Sequence, residues 1–162
     1  MVIIMRNIVL ARVDDRLIHG EVVSVWSPSL SINRIVIVDD EVAVDAFNKR
    51  VLKALAPEGI KVLVYDVATA SEKLKGEPKP GEKMMVLTKT PISYLRLVEN
   101  GVGIKEVNLG GMGLRNERKP FIKNVACDAA EIEAIRKLEE LGVRVYYQLV
   151  PEQQIIEAKG YI

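Results

Sequence analysis

The chain has 162 residues, of which 49% are hydrophobic, 28% charged and 5% aromatic, and its formal net charge is +1. This length and composition predict one domain over residues 1–162, large enough to bury a core without disulfides. The balanced charge and the few aromatic residues give no electrostatic or base-stacking reason to expect nucleic-acid binding. No apolar run approaches the ~20 residues that span a bilayer, so a role at a membrane would depend on a partner.

The chain contains one cysteine, Cys127, and one histidine, His19. A single cysteine cannot form an internal disulfide, which fits a reducing cytoplasm. One cysteine and one histidine do not supply the ligands of a usual zinc site, so neither a metal nor a cofactor is expected. Cys127 is expected to be a buried, unreactive thiol.

The first half of the chain alternates short apolar runs with amphipathic segments. The predicted elements are, in order, a strand over residues 7–13, a charged loop over 14–20, a helix to residue 26, a strand over 34–38, a helix over 41–55, a strand over 61–65 and a helix over 67–74. Pro28 is expected to stop the first helix. Phe47, Val51, Leu52 and Leu55 share one face of the second helix.

The second half continues this alternation after a loop rich in proline and glycine over residues 76–81. The predicted elements are a strand over 83–87, a helix from Thr90 and Pro91 to near Gly101, a strand over 104–109, a glycine-rich segment over 110–113, irregular structure over 114–123, a short strand over 124–127, a helix over 129–141, a strand over 143–149 and a short helix after Pro151. Thr90 is the expected N-cap of its helix, and Asp128 with Glu131 forms a plausible capping box.

Strands that alternate with helices in this way predict a three-layer α/β/α fold with an open, mainly parallel sheet of six to seven strands. In such sheets ligands bind beyond the carboxyl ends of the strands. The loops that begin at Asp14, Asp39, Asp66, Thr88 and Gly110 all lie at that edge. The active loop is expected after the first strand.

That loop holds the residues most suited to phosphoryl chemistry. A neutral imidazole such as that of His19 is a good nucleophile near pH 7. Arg16 and Arg12 are candidates to bind phosphate oxygens. Gly20 removes side-chain bulk beside the transferred group, and Asp14 is a candidate to orient an arginine or the imidazole.

Other interpretations of these residues remain open on spacing alone. A lone histidine is often an ordinary surface or core residue, and its place between two arginines and a glycine makes the catalytic interpretation about equally good. The glycine-rich segment 110–113 is more often a flexible turn than an approach of the backbone to a ligand. Asp39 and Asp40 are most simply loop or cap residues.

The stretch Ala-Arg-Val-Asp-Asp-Arg-Leu-Ile-His-Gly over residues 11–20, followed by Val22 and Trp26, resembles the signature of one protein family. It is the IIB component of the mannose/fructose/sorbose family of the bacterial phosphoenolpyruvate-dependent sugar phosphotransferase system. Further segments resemble that family in the same order, so the resemblance covers nearly the whole chain. They are residues 35–40, 87–91, 107–112 and 142–151.

The resemblance implies that His19 accepts a phosphoryl group on Nδ1 from a phosphohistidine of a IIA partner. It implies that the group then passes to a sugar of the mannose, fructose, sorbose or amino-sugar class during uptake through membrane components IIC and IID. Arg16 matches the family's stabilising arginine, Asp14 a loop aspartate, and Arg12 a further arginine. The protein would be cytoplasmic and peripheral to the membrane through IIC and IID.

Two features of the loop lead to further expectations. Glu21 stands where the family often has glutamine, and a carboxylate near a phosphorylated histidine is repulsive, so either Glu21 points away or onward transfer is slightly favoured. Because two partners must reach His19, the loop is expected to be exposed. Leu17, Ile18 and Met112 are candidates for an apolar rim around it.

Two competing functions come from other classes of protein. A phospho-receiver signalling domain also has an acidic pair after its first strand, an aspartate after its third and a threonine and lysine nearby. Asp14-Asp15, Asp66 and Thr88-Lys89 imitate these three features. Lys89 follows the fourth strand, which is the wrong place for the receiver lysine. A nucleotide- or sugar-binding module built on residues 110–113 has no phosphate-binding fingerprint of known spacing to support it.

Overall fold

The computed structural model describes residues 4–20 and 22–162, so Glu21 and the expectation attached to it lie outside the described residues. A central sheet of seven strands has the order β3-β2-β4-β1-β5-β8-β9, and a separate hairpin pairs β6 with β7. The strands are β1 (Ile8–Asp14), β2 (Arg34–Val38), β3 (Lys61–Tyr65), β4 (Met84–Thr88), β5 (Glu106–Gly111), β6 (Lys119–Ile122), β7 (Val125–Cys127), β8 (Arg144–Tyr147) and β9 (Ile156–Glu157).

The pairs formed by β1, β2, β3, β4, β5 and β8 are all parallel, and β9 is antiparallel to β8. The expected open, mainly parallel sheet is therefore confirmed. The helical elements are a π-helical turn (Val22–Trp26), α1 (Ser27–Ser29), α2 (Asp40–Ala43), α3 (Ala46–Ala54), α4 (Val67–Leu74), α5 (Pro91–Glu99), α6 (Ala129–Glu140) and a terminal 3-10 turn (Ala158–Tyr161). Over residues 4–20 and 22–162, none of these helices is long and apolar enough to cross a bilayer.

Two apolar clusters cover the two faces of the sheet and give the fold its three layers. In β2, Val36 and Val38 belong to one cluster together with residues of α4, α5 and α6. Ile35 and Ile37 belong to the other cluster, with Trp26 and residues of the loop after β1. Because successive strand residues point to opposite faces, a solidly apolar strand such as β2 is buried from both sides.

The helix caps expected from the sequence are present. The hydroxyl of Thr90 accepts a hydrogen bond from the N–H of Ile92 at 3.3 Å, with Pro91 as the first residue of α5. At the start of α6, Asp128 and Glu131 form the reciprocal capping box. Both caps satisfy N–H groups that have no partner inside their own helix.

Several predicted elements differ from those observed. The helix predicted over residues 41–55 is divided into α2 and α3, because Asp45 caps the second piece by accepting a hydrogen bond from the N–H of Asn48. The apolar face of α3 is only partly buried, because the side chains of Phe47, Val51 and Leu55 are exposed to solvent. Pro28 lies within the short helix α1 and does not end the helical segment at residue 26.

The end of the chain and the segment after β5 also differ from the prediction. Residues 114–123, expected to be irregular, contain strand β6. The short helix expected after Pro151 is present as the terminal 3-10 turn, and it is preceded by β9, which was not predicted. Strand β5 runs on through Gly110 and Gly111, so these glycines are not a flexible turn.

The glycines of β5 are required by close packing. A Cβ atom at Gly110 would lie 2.3 Å from the guanidinium carbon of Arg12, and one at Gly111 would lie 3.2 Å from the carboxylate oxygens of Asp14. The backbone of β5 therefore approaches two side chains of β1, and not a ligand. Only glycine leaves room for the Arg12 side chain to lie across the sheet.

We expect Gly110→Ala to lower the free energy of unfolding by about 2 kcal/mol or more, because the added methyl group overlaps the buried Arg12 guanidinium. Urea denaturation monitored by circular dichroism measures the effect. Gly160→Ala is the control, because a Cβ at Gly160 has no neighbouring atom within 4 Å. Equal stability of the two variants would show that Arg12 moves aside without loss.

Candidate functional site

The loop that carries His19 leaves the carboxyl end of β1, which lies between β4 and β5 near the middle of the sheet. It returns into the π-helical turn, where the N–H of Val23 donates to the carbonyl of His19 at 3.0 Å. The loop therefore occupies the edge at which parallel α/β sheets bind their ligands. This is the position that the sequence predicts for the active loop.

Asp14 and His19 form the central contact of the site. Nε2 of His19 lies 2.8 Å from Oδ2 of Asp14, whose side chain is fully buried. A carboxylate can only accept a hydrogen bond, so the proton of this contact belongs to Nε2 and the lone pair of the neutral ring belongs to Nδ1. None of the described residues hydrogen-bonds Nδ1, so its lone pair is not engaged by any of them.

Arg12 lies behind this pair and has no solvent exposure. Its guanidinium donates to Oδ1 of Asn108 at 2.6 Å and to the carbonyls of Gln148 and Leu149 at 3.1 Å each, and it lies 3.4 Å from Oδ2 of Asp14. A buried arginine of this kind cannot reach a group in solvent. Arg12 is thus placed to support the loop through Asp14, and not to contact a phosphoryl group directly.

Trp26 completes the enclosure of Arg12. Its ring centroid lies 5.2 Å from the guanidinium carbon, and its indole N–H donates to the carbonyl of Leu149 at 2.9 Å. Cation–π contacts favour such a stacked guanidinium when water is excluded. Trp26 therefore connects the π-helical turn after the loop to the segment that follows β8.

The charges around Asp14 favour its ionised form. Burial alone would raise the pKa of Asp14, but the hydrogen bond from His19, the N–H of Arg16 and the charge of Arg12 outweigh it, so the pKa of Asp14 lies below its usual range. The carboxylate is thus a permanent hydrogen-bond acceptor for the imidazole near neutral pH.

The backbone of the loop is fixed by a tight turn. The N–H of Leu17 donates to the carbonyl of Asp14 at 3.0 Å, and Leu17 adopts a φ of 58°, a left-handed conformation that is uncommon for leucine. The side chains of Leu17, Ile18 and Met112 are all buried. These three residues therefore do not form the apolar rim expected from the sequence, because Leu17 and Ile18 anchor the loop in one apolar cluster and Met112 is buried in the other.

The expectation of an exposed loop is met at Arg16 and Gly20. The side chain of His19 between them is only 10% exposed, so the imidazole is less accessible than its neighbours. The Arg16 side chain is 59% exposed, and its Nε lies 3.7 Å from Oδ1 of Asp14. At Gly20, which is exposed, a Cβ atom would meet nothing within 4 Å.

The structure brings together the residues predicted from the loop and adds others that the sequence did not single out. Asp14 contacts both Arg16 and His19, and Arg12 lies behind it. Asn108, which pairs with Arg12 in adjacent strands, was not predicted. Each of these two polar residues interrupts an apolar strand, and that interruption is the signal in the sequence that marks them.

The remaining candidates show no comparable arrangement. Burial, followed by the nearby charge of Glu131, raises the pKa of the Cys127 thiol to about 12, as expected of an unreactive cysteine. Within the described part of the chain, no three His, Cys, Asp or Glu side chains form a group that could hold a metal ion.

The acidic residues of a receiver-type site are not assembled. Asp66 ends β3, from which β1 is separated by β2 and β4, and its carboxylate caps α4 through the N–H of Thr69. Lys89 lies 3.9 Å from Asp39, which accepts a hydrogen bond from the N–H of Val42 as a cap of α2. This geometry gives the receiver interpretation no support.

Comparison with known proteins gives consistent matches along the chain. A sequence model of the family described as PTS system sorbose subfamily IIB component matches residues 8–161. The sorbose-specific EIIB component of Lacticaseibacillus casei is 39% identical over 88% of this chain and 87% of its own length. The crystal structure of the IIBSor domain of the sorbose permease from Klebsiella pneumoniae superposes with a TM-score of 0.85 at 36% identity, covering 93% of each chain.

One relative is considerably longer than this chain. The mannose-specific EIIAB component of Escherichia coli (strain K12) is 41% identical over 84% of this chain, and that match covers 42% of its length. The chain thus spans less than half of the curated EIIAB relatives that it matches.

We expect Asp14→Asn to lower the free energy of unfolding at pH 7 by about 3 kcal/mol, because it removes the charge that compensates the buried Arg12. The lowered pKa of Asp14 stabilises the fold above the unfolded value of 3.8, and this stability is lost as the pH falls through the folded value. The difference between wild type and variant should therefore shrink from pH 7 towards about pH 2.

Urea denaturation across this pH range measures the difference. Asp45→Asn is the matched control, since Asp45 is exposed and asparagine caps a helix about as well as aspartate. A difference that stays constant with pH would contradict a link between the ionisation of Asp14 and stability.

Proposed function

Because the chain belongs to the sorbose subfamily of IIB components of the phosphotransferase system, we propose that it is a phosphocarrier that uses His19. In this proposal a IIA partner donates the phosphoryl group from its own phosphohistidine. His19 then passes the group to a sugar of the mannose, fructose, sorbose or amino-sugar class during uptake through IIC and IID. The protein would act in the cytoplasm, held at the membrane by those partners.

The observation that carries this proposal is the 2.8 Å contact between Nε2 of His19 and the Asp14 carboxylate. It supports Nδ1 as the attacking atom, because the proton is held on the opposite side of the ring. When Nδ1 forms its bond to phosphorus, the donor nitrogen–phosphorus bond breaks and the imidazole becomes positively charged. The Asp14 carboxylate stabilises that charge without a change in its own hydrogen bond.

Arg16 is the residue best placed to contact the transferred group. Its backbone N–H donates to Oδ1 of Asp14 at 3.1 Å, which fixes the main chain three residues before His19. Its side chain remains largely exposed beside the same carboxylate. An exposed guanidinium binds phosphoryl oxygens in pairs, and in the proposed reaction it would neutralise the charge that builds up between the two nitrogens.

The second half of the reaction uses the same groups in reverse. A sugar hydroxyl attacks phosphorus and gives its proton to water as the oxygen–phosphorus bond forms, and the electron pair of the nitrogen–phosphorus bond returns to Nδ1. Asp14 keeps the proton on Nε2, so the ring is released as the same neutral tautomer. Gly20 leaves open space at the start of the following turn for the donor and the acceptor.

The chemical stability of the phosphorylated residue tests this function. With a radiolabelled phospho-IIA protein of the mannose or sorbose class as donor, we expect label on the protein that is lost in acid, survives in base and resists hydroxylamine. His19→Ala should take up no label. Label that persists in His19→Ala, or that hydroxylamine removes, would indicate an aspartyl phosphate and overturn the proposal.

We expect Arg16→Ala to slow phosphorylation by phospho-IIA about tenfold or more, because the developing phosphoryl charge loses its nearest exposed cation. Its thermal unfolding should stay close to that of wild type, since the side chain is exposed. Rapid-quench measurement of the labelled fraction gives the rate. Arg136→Ala, which removes an exposed arginine of α6, should transfer normally, and a normal rate in Arg16→Ala would show that the phosphoryl group is bound elsewhere.

A further inference from the structure

Asp15, the residue next to Asp14, is bound by residues that lie far from it in the sequence. Asp15 accepts a hydrogen bond from the N–H of Gly113 at 2.7 Å and from Nη1 of Arg118 at 2.9 Å to each of its oxygens. Its own N–H donates to the carbonyl of Gly111 at 2.8 Å. The exposed side chain of Arg115 lies 3.3 Å from the same carboxylate.

Arg118 connects this carboxylate to a helix. Its Nε and Nη2 each donate to the Glu131 carboxylate at 2.8 Å, so a single guanidinium binds two carboxylates through separate edges. The side chain of Arg118 is only 9% exposed, and those of Asp15 and Glu131 are buried to a similar degree. Lysine could not replace it, because an ammonium group lacks this planar arrangement of donors.

Glu131 is itself fixed by the fold. It is the third residue of α6, where it accepts a hydrogen bond from the N–H of Asp128 at 3.1 Å as part of the capping box. The contacts therefore run from the start of a twelve-residue helix through Glu131 and Arg118 to Asp15. Burial alone would lower the pKa of Arg118, but its hydrogen bonds to Glu131 and Asp15 raise it, so the arginine stays charged at all working pH values.

These contacts have a direct geometric consequence for His19. Asp14 and Asp15 are adjacent, and the two carboxylates are held by different groups: Asp14 by Arg12 and His19, Asp15 by Arg118 and Gly113. With both neighbours fixed, the peptide between them cannot rotate without breaking one set of contacts. The contacts of Asp15 thus add a restraint from α6 on the main chain that carries the Asp14 carboxylate, beside the contacts that Arg12 and His19 make with that carboxylate itself.

We propose that Arg118 is a positioning residue for phosphoryl transfer, which acts through Asp15 to hold Asp14 and His19 in the reactive arrangement. The inference rests on the proposed function of His19 and adds a residue that lies in another part of the sequence. Arg118 does not touch the transferred group in this account. Arg118 keeps the imidazole in the orientation that presents Nδ1 before a partner binds. The reaction then needs no separate step in which the side chain of His19 becomes ordered.

The inference is tested with two variants that keep the fold. Arg118→Gln combined with Glu131→Gln removes the arginine without leaving a buried carboxylate on α6, and Asp15→Asn removes the charge that Arg118 binds while keeping an oxygen for Gly113. For both, we expect kcat for transfer from phospho-IIA to fall about tenfold or more, with KM for the donor within about twofold of wild type, since Arg118 and Asp15 are nearly buried.

A spectroscopic measurement separates positioning from a general loss of stability. In wild type the Nε2 proton of His19 should give a slowly exchanging NMR signal because it is held by Asp14, and both variants should exchange it faster while circular dichroism remains native. Arg136→Gln is the matched control, because Arg136 pairs with Glu133 on the exposed face of the same helix and should change neither kcat nor the signal.

The outcomes separate the two proposals. If wild type takes up no label on His19, the proposed function itself fails. If wild type is labelled and both variants keep a normal kcat and a protected Nε2 proton, Arg118 is only a structural contact and the inference is wrong. A fall in kcat with an unchanged proton signal would also overturn it, because the effect would not pass through the imidazole.

Discussion

The site depends on one buried charge, the guanidinium of Arg12. A charge without solvent exposure is tolerated only when acceptors surround it, and the chain supplies them from three places: Asn108 on β5, the two carbonyls after β8, and Asp14 at the end of β1 itself. The glycine at position 110 gives the side chain its space. Arg12, a candidate phosphate ligand on sequence grounds, is thus a buried residue whose guanidinium positions the carboxylate of Asp14.

Asp14 and Asp15 are consecutive, but their side chains contact different parts of the protein, because successive residues of a strand point to opposite faces of the sheet. Arg12 and Asp14 lie on the same face of β1, as residues two apart must, and together they hold the imidazole of His19. Asp15 is bound by residues of the β5–β6 connection and by Arg118. One dipeptide therefore joins His19 to both the centre of the sheet and the start of α6.

The sequence is sufficient for the fold class, most strand positions and the location of the reactive loop, because these follow from local patterns of apolar residues and caps. The sequence also indicates His19, Arg16 and Asp14, because these three side chains lie within a segment of six residues and together suit phosphoryl chemistry. It does not indicate which residues Arg118 and Asn108 contact, since their partners are 103 and 96 residues away in the chain. The close contact between Gly110 and Arg12 could not be predicted for the same reason. A glycine that is required by a distant side chain has the same local sequence pattern as a glycine in a turn.

The side chains expected to form an apolar rim are buried for a physical reason. A loop with a leucine in a left-handed conformation needs anchors, and Leu17 and Ile18 provide them by turning into the core. Arg16 and Gly20 remain exposed on either side of them. In the proposed function the protein must release one partner before it meets the next, and a large apolar contact would hold the first partner too long. Recognition can then be weak while the geometry of transfer stays exact, since the imidazole is oriented from inside the protein by Asp14 and not by the partner that approaches it.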